Sequence, residues 1–145
     1  MKKPPSMTPA PLDWSRIAAP SIDDFDLLAR DAYAELPADF RQLCEGLIIR
    51  VEDFPDDETL KEMDCESEFD LLGLFRGHGL AQSSATPQSG QFPNMVWLYR
   101  RPILDFWADQ EDTLGAIITH VLVHEIGHHF GLSDADMEAI EKSAR

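Results

Sequence analysis

The residues best suited to chemistry lie between positions 109 and 141, in DQEDTLGAIITHVLVHEIGHHFGLSDADMEAIE. His124-Glu125-Ile126-Gly127-His128 forms an HExxH motif, and Gly131 and Asp134 extend it to HExxHxxGxxD. On an α-helix, side chains four residues apart project from one face, one turn apart. Two imidazoles so placed reach a single Zn²⁺, a metal that imidazole suits. Glu125 stands one step round the helix, beside the metal, where it can take a proton from a zinc-bound water. A catalytic zinc has three protein ligands plus water, so a third ligand must come from elsewhere.

Asp134 lies ten residues past His124, roughly 15 Å further along if the helix continued. It reaches the metal only if the helix stops and the chain folds back. Gly131 is the residue for that stop, because a helix often ends in a left-handed residue that glycine adopts without strain. Ser133 is then an N-cap, with Asp136 three residues on as an Asp variant of the capping box. Leu132 and Met137 take the hydrophobic-staple positions, which fixes the approach of a short last helix and aims Asp134, its first residue.

Two further histidines adjoin the motif. His120, His124 and His128 share a stripe, but the outer two are about 12 Å apart along the axis. Three such rings cannot all bind one ion at about 2.1 Å each, so His120 is expected beside the core or behind the ligands. His129 points about 140° away from His124 and is expected to make a structural hydrogen bond.

The elements that must position these groups read as follows. Five prolines in the first twenty residues (Pro4, Pro5, Pro9, Pro11, Pro20) suggest a loosely attached arm over 1–20, with Trp14 pinning part of it. A single domain is expected over 21–145. Ser21 caps a helix over about 22–35, with Asp23, Asp24 and Asp26 where the dipole favours acids. Its apolar face is Phe25, Leu28, Ala32 and Leu36. Pro37 ends that helix or opens the next, which runs through Phe40, Leu43 and Cys44 to Gly46. Leu47 to Val51 reads as a strand, Asp57 to Met63 as a short helix, and Phe69 to Phe75 as a second strand. Residues 77–94 form a long Gly/Ser/Gln/Pro loop that could rim a cleft. Met95 to Arg100 is a third strand and Pro102 to Trp107 a short helix or turn. Asp109 is expected to cap the motif helix, with Glu111 and Asp112 in its first turn. Leu114, Ile117, Ile118, Val121, Leu122 and Ile126 supply that helix's buried side. The fold class is α+β: about three strands, with the zinc helix across one face.

Composition narrows the function classes. With 145 residues the chain is long enough to bury a core without disulfides. A formal charge of −15 repels phosphate backbones and anionic membranes, so neither nucleic acid nor membrane is an expected partner. Cys44 and Cys65 sit in no metal-binding spacing and read as free thiols in a reducing cytosol. The N-terminus MKKPPSMTPAPLDW lacks an apolar h-region, and no run of 18 apolar residues occurs. A cytoplasmic protein is expected, and its oligomeric state is open.

The segments FDLLARDAYAELPADF, IIRVEDFP, LLGLFRG, VWLYRRPI and HEIGHHFGLSDADMEAI resemble the short bacterial zincin-like metallopeptidases, the minimal zincins. The resemblance spans about residues 25–141. It implies a zincin-like α+β fold, zinc held by His124, His128 and Asp134, and Glu125 as general base in peptide-bond hydrolysis. The extended motif is also similar to that of metzincins with an aspartate ligand. Those place a methionine turn well downstream, whereas eleven residues follow Asp134 here and Met137 reads as a staple. A deep cleft is therefore not expected, and a non-catalytic zinc-binding module is the alternative. Residues 77–82 superficially resemble a deformylase glycine motif, but deformylases carry Asp where Gly127 stands. Tyr99 and His78 are the residues weighed for stabilising an oxyanion.

Overall fold

Ser21 opens the first helix, α1 (Ile22–Ala34), through a complete capping box with Asp24. In this computed structural model, residues 10–77 and 93–144 are described. Residues 1–9 of the proposed arm (1–20) and most of the proposed rim loop, 78–92 with His78, lie outside them. Trp14 sits in a 3-10 turn and is 75% exposed. What ties this segment down is Arg100, whose Nε donates to the Pro20 carbonyl at 2.6 Å while its Nη1 meets Asp53 Oδ1 at 2.9 Å.

Phe25, Ala29 and Leu36 bury the inner face of α1 and its exit, with Leu28 and Ala32 partly buried beside them. A one-turn α2 (Ala38–Arg41) and a 3-10 turn to Cys44 follow. Cys44 is buried, with its Sγ 3.3 Å from the Tyr33 hydroxyl. Burial raises the proton affinity of both groups.

Three strands make the sheet: β1 (Ile48–Glu52), β2 (Gly73–Arg76) and β3 (Met95–Tyr99). Their order is β1-β3-β2, with β1 parallel and β2 antiparallel to the central β3. β1 starts one residue later than its β-branched content suggested. Gly46 turns with φ +74° and the Leu47 N–H bonds back to the Cys44 carbonyl, so Leu47 belongs to the turn. β2 is shorter than the apolar run from Phe69. The Asp70 carboxylate accepts from the Glu66 and Ser67 N–H groups, which closes a side-chain turn where a ladder would need an open backbone. Helix α3 (Asp57–Glu62) lies between β1 and β2 in the chain.

β3 runs directly into α4 (Arg100–Ala108). Pro102 is in that helix's first turn, where a missing N–H costs nothing. The motif helix α5 (Leu114–His129) is capped not by Asp109 but by Thr113, whose hydroxyl accepts from the Ala116 N–H at 3.1 Å. Asp109 closes α4 instead, through its N–H to the Phe106 carbonyl. Trp107 Nε1 donates to the Asp112 carbonyl and holds the intervening turn, so Glu111 and Asp112 lie outside α5.

All six apolar residues expected on the buried side of α5 are buried, together with Val123. They pack against Phe75, Val96 and Leu98 of the sheet and Phe25 and Ala29 of α1 in one core. Each such side chain contributes about 1.5–3 kcal/mol through removal from water. The last helix, α6 (Asp134–Ser143), lies against α5.

Candidate active site

The reversal after α5 has a specific hydrogen-bond pattern. Gly131 adopts φ +78°. Its N–H bonds to the His128 carbonyl at 3.2 Å, and the Leu132 N–H reaches back to the Gly127 carbonyl at 2.9 Å. Those are the two bonds of a Schellman C-cap, with the left-handed residue where glycine is least strained. Ser133 then starts α6: its hydroxyl accepts from the Asp136 N–H at 3.1 Å, and the Asp136 carboxylate accepts from the Ser133 N–H. The capping box read from the sequence is present.

Helix α6 approaches α5 closely because position 127 is glycine. A Cβ there would lie 2.5 Å from Met137 Sδ and 2.8 Å from its Cγ, with Leu132 Cδ1 at 3.6 Å. Met137 is fully buried. The two staple residues thus meet over the middle of the HExxH motif.

Folding back brings carboxylates to the histidine stripe. Asp134 Oδ1 lies 3.8 Å from His128 Nε2. The His124 and His128 rings are 5.4 Å apart and nearly perpendicular. A tetrahedral ion with bonds of about 2.1 Å separates its ligand atoms by about 3.4 Å. Two imidazoles and a carboxylate are a donor set that suits zinc, and Asp134 is open to solvent, but among the described residues the ligand atoms that lie within 4.8 Å of one another belong to His120, His124 and Glu141, not to this trio.

A second carboxylate faces the same stripe and has no counterpart in the motif. Glu141 Oε1 accepts from His120 Nδ1 at 2.6 Å, and its Oε2 lies 3.8 Å from His124 Nε2. Its side chain is 15% exposed, against 93% for Asp134. The His120 ring also stacks on that of His124, centroids 3.9 Å apart. His120 is half exposed, not beside the core as its spacing suggested, and it is held by a residue that the motif does not name. The available signal was that Glu141 lies seven residues beyond Asp134, two turns on along one helical face.

Glu125 points the other way, toward the sheet. Its Cγ would be 3.5 Å from a Cβ at Gly73, where Val121 Cγ1 and the Trp97 carbonyl would stand at 2.7 and 2.9 Å. Glycine at 73 therefore lets β2 run close beside the helix. Burial raises the proton affinity of Glu125, offset in part by His128. Burial lowers that of His124, with His120 acting in the same direction. A groove of about 240 Å³ runs here, between residues 70–73 on one side and His120, His124 and Glu125 on the other.

His129 behaves differently from expectation, and Tyr99 sits beside the groove. His129 makes no structural hydrogen bond through Nε2, which is buried without a partner among the described residues. Its ring packs on Phe75 at 4.4 Å, so it serves as an aromatic contact in the core. Tyr99 lines a cavity of about 530 Å³ with Arg50, Trp97 and Arg76, not the groove at Glu125. Its hydroxyl is pushed up to about 12, first by burial and then by Glu52 and Asp56.

Among the described residues no helix is long and apolar enough to cross a membrane. No curated protein matches the chain. Residues 44–144, from the end of the α2 turn through α6, match the zincin-like metallopeptidase family, and the chain belongs to it.

Proposed function

We propose that the protein is a zinc-dependent metallopeptidase, with His124, His128 and Asp134 holding the ion and Glu125 as general base. Held by these residues, zinc would supply a water whose pKa falls toward about 7 and a charge that polarises a carbonyl. Glu125 takes the proton of the attacking water and passes it to the leaving amine. Its partial burial suits that work, since a carboxylate that holds its proton more tightly is a better base near neutral pH. The substrate is a peptide or an unstructured protein segment, laid along residues 70–73 and the outer edge of β2. β2 is an edge strand, and free strand edges bind extended chains through backbone hydrogen bonds. A charge of −15 disfavours nucleic acid and anionic membranes as partners, and the cytoplasm is the proposed compartment.

The observation that carries this reading is the turn at Gly131, which sets Asp134 Oδ1 3.8 Å from His128 Nε2. The test is zinc content and hydrolysis of unstructured peptides by the parent and by Glu125→Gln. Hydrolysis should fall about 10²–10⁴-fold with zinc content unchanged. Equal hydrolysis by the variant removes Glu125 from the mechanism.

One feature favours a second reading, a non-catalytic zinc-binding module. Glu141 beside His124 offers a further protein oxygen, and structural zinc sites are closed by protein ligands. In that case Asp134→Ala lowers the melting temperature as much as chelation does, and no peptide is cut.

A further inference from the structure

Helix α5 carries two overlapping histidine pairs, not one. His120 and His124 have the same four-residue spacing as His124 and His128, and two carboxylates of α6 face the stripe. His128 faces Asp134, and His120 and His124 face Glu141. The ligand atoms of His120, His124 and Glu141 all lie within 4.8 Å of one another. We propose that these three residues form a second position for a divalent transition-metal ion, sharing His124 with the first, so that one chain holds one ion in either place.

The chemistry of the donors supports it. Two imidazoles and a carboxylate form a ligand set that zinc and its neighbours accept. Glu141 is the least exposed carboxylate of the stripe and presents both oxygens, one to each imidazole. His120 is half exposed, so its ring is free to move from hydrogen-bond distance to ligand spacing. Glu141 also lines a cavity of about 570 Å³ whose other charged residues are Asp31, Glu35, Glu111 and Asp112. A cavity walled by one sign of charge raises the local concentration of cations.

Exclusion follows from His124. Its Nε2 faces Glu141 Oε2, and one nitrogen binds one ion. An ion on His120, His124 and Glu141 therefore leaves His128 and Asp134 without their partner. This last step rests on the proposed His124–His128–Asp134 set; the second position itself does not.

The experiment is titration of the metal-free full chain with Co²⁺, read by visible absorption, for the parent and three variants. The parent should bind one ion. His128→Gln with Asp134→Asn should still bind one, and adding Glu141→Gln to that pair should abolish binding. His120→Asn with Glu141→Gln should keep one ion at the first position. Loss of all binding in His128→Gln/Asp134→Asn overturns the proposal, as does its survival after Glu141→Gln is added. Two ions on the parent overturn the exclusion. No ion on His120→Asn/Glu141→Gln, with one retained on His128→Gln/Asp134→Asn, leaves the second position standing and sinks the Asp134 set. In His128→Gln/Asp134→Asn, Zn²⁺ should shift the ring nitrogen resonances of His120, and unmoved resonances there overturn the proposal; backbone amide resonances of the metal-free variant that match the parent's guard against misfolding.

Discussion

Helix α5 carries two stripes of identical spacing and opposite fate. Ile118, Leu122 and Ile126 recur every fourth residue, as do His120, His124 and His128 two positions on. Two positions are about 200° of helical rotation, so the stripes face nearly opposite directions. The first is fully buried against sheet and α1. The second faces α6, with side chains 52%, 27% and 59% exposed. One stripe supplies folding energy, and the other is held out by it. The division shows why a short chain can display several imidazoles on one helix: the opposite side alone secures the element.

The largest effect should come from the apolar stripe. Leu122→Ala removes a fully buried side chain between helix and sheet and should cost about 2–5 kcal/mol, measured by urea unfolding of the metal-free protein. His124→Ala, two residues along, should cost less than about 1 kcal/mol in the same assay, yet abolish binding at both proposed metal positions. Comparable losses for the two substitutions would erase the distinction between the stripes.

The boundary between them is testable at Gly127, which shares the histidines' turn but packs on α6. An added methyl there meets Met137 Sδ at 2.5 Å inside a filled core. Gly127→Ala should destabilise by about 1–3 kcal/mol through overpacking. Because Met137 and Asp134 are on one short helix, the same methyl should also weaken metal binding. Lost stability with unaltered metal affinity would show that the approach of α6 does not set the position of Asp134.

Much of this arrangement was legible before any coordinates. The reversal at Gly131 was readable because it depends on local rules: a glycine that tolerates positive φ, then Ser133 and Asp136 in capping register. The buried side of α5 was readable from period alone. What escaped depends on distant partners. Asp109 and Thr113 both have cap-forming side chains, and the choice between them was made by Trp107 holding the Asp112 carbonyl. β2 was overextended because Asp70 turns the chain with its own side chain. Glu141 is invisible to the motif because nothing in HExxHxxGxxD points to it. Its role appears only when α6 lies against α5 and sets position 141 beside 120 and 124.

A smaller effect probes the apolar stripe from outside. α1 packs on α5 through Phe25 and Ala29, and its start is held by Asp24, which accepts from the Ser21 N–H at 2.8 Å. That backbone hydrogen bond, helped by the Ser21 hydroxyl, holds the Asp24 carboxyl below its ordinary 3.8. A carboxyl whose folded value is depressed adds stability above its unfolded pKa and loses it as pH falls through the folded value. Asp24→Asn should therefore lower the melting temperature slightly at neutral pH, and the gap to the parent should close below pH 3.8. A gap that persists in acid would mean that charge has no part in the cap. Metal affinity at neutral pH should not change, because Asp24 caps the start of α1 and lines neither the groove nor the cavity beside the histidines; a change would mean that strain at the α1 start crosses α5 to the histidines.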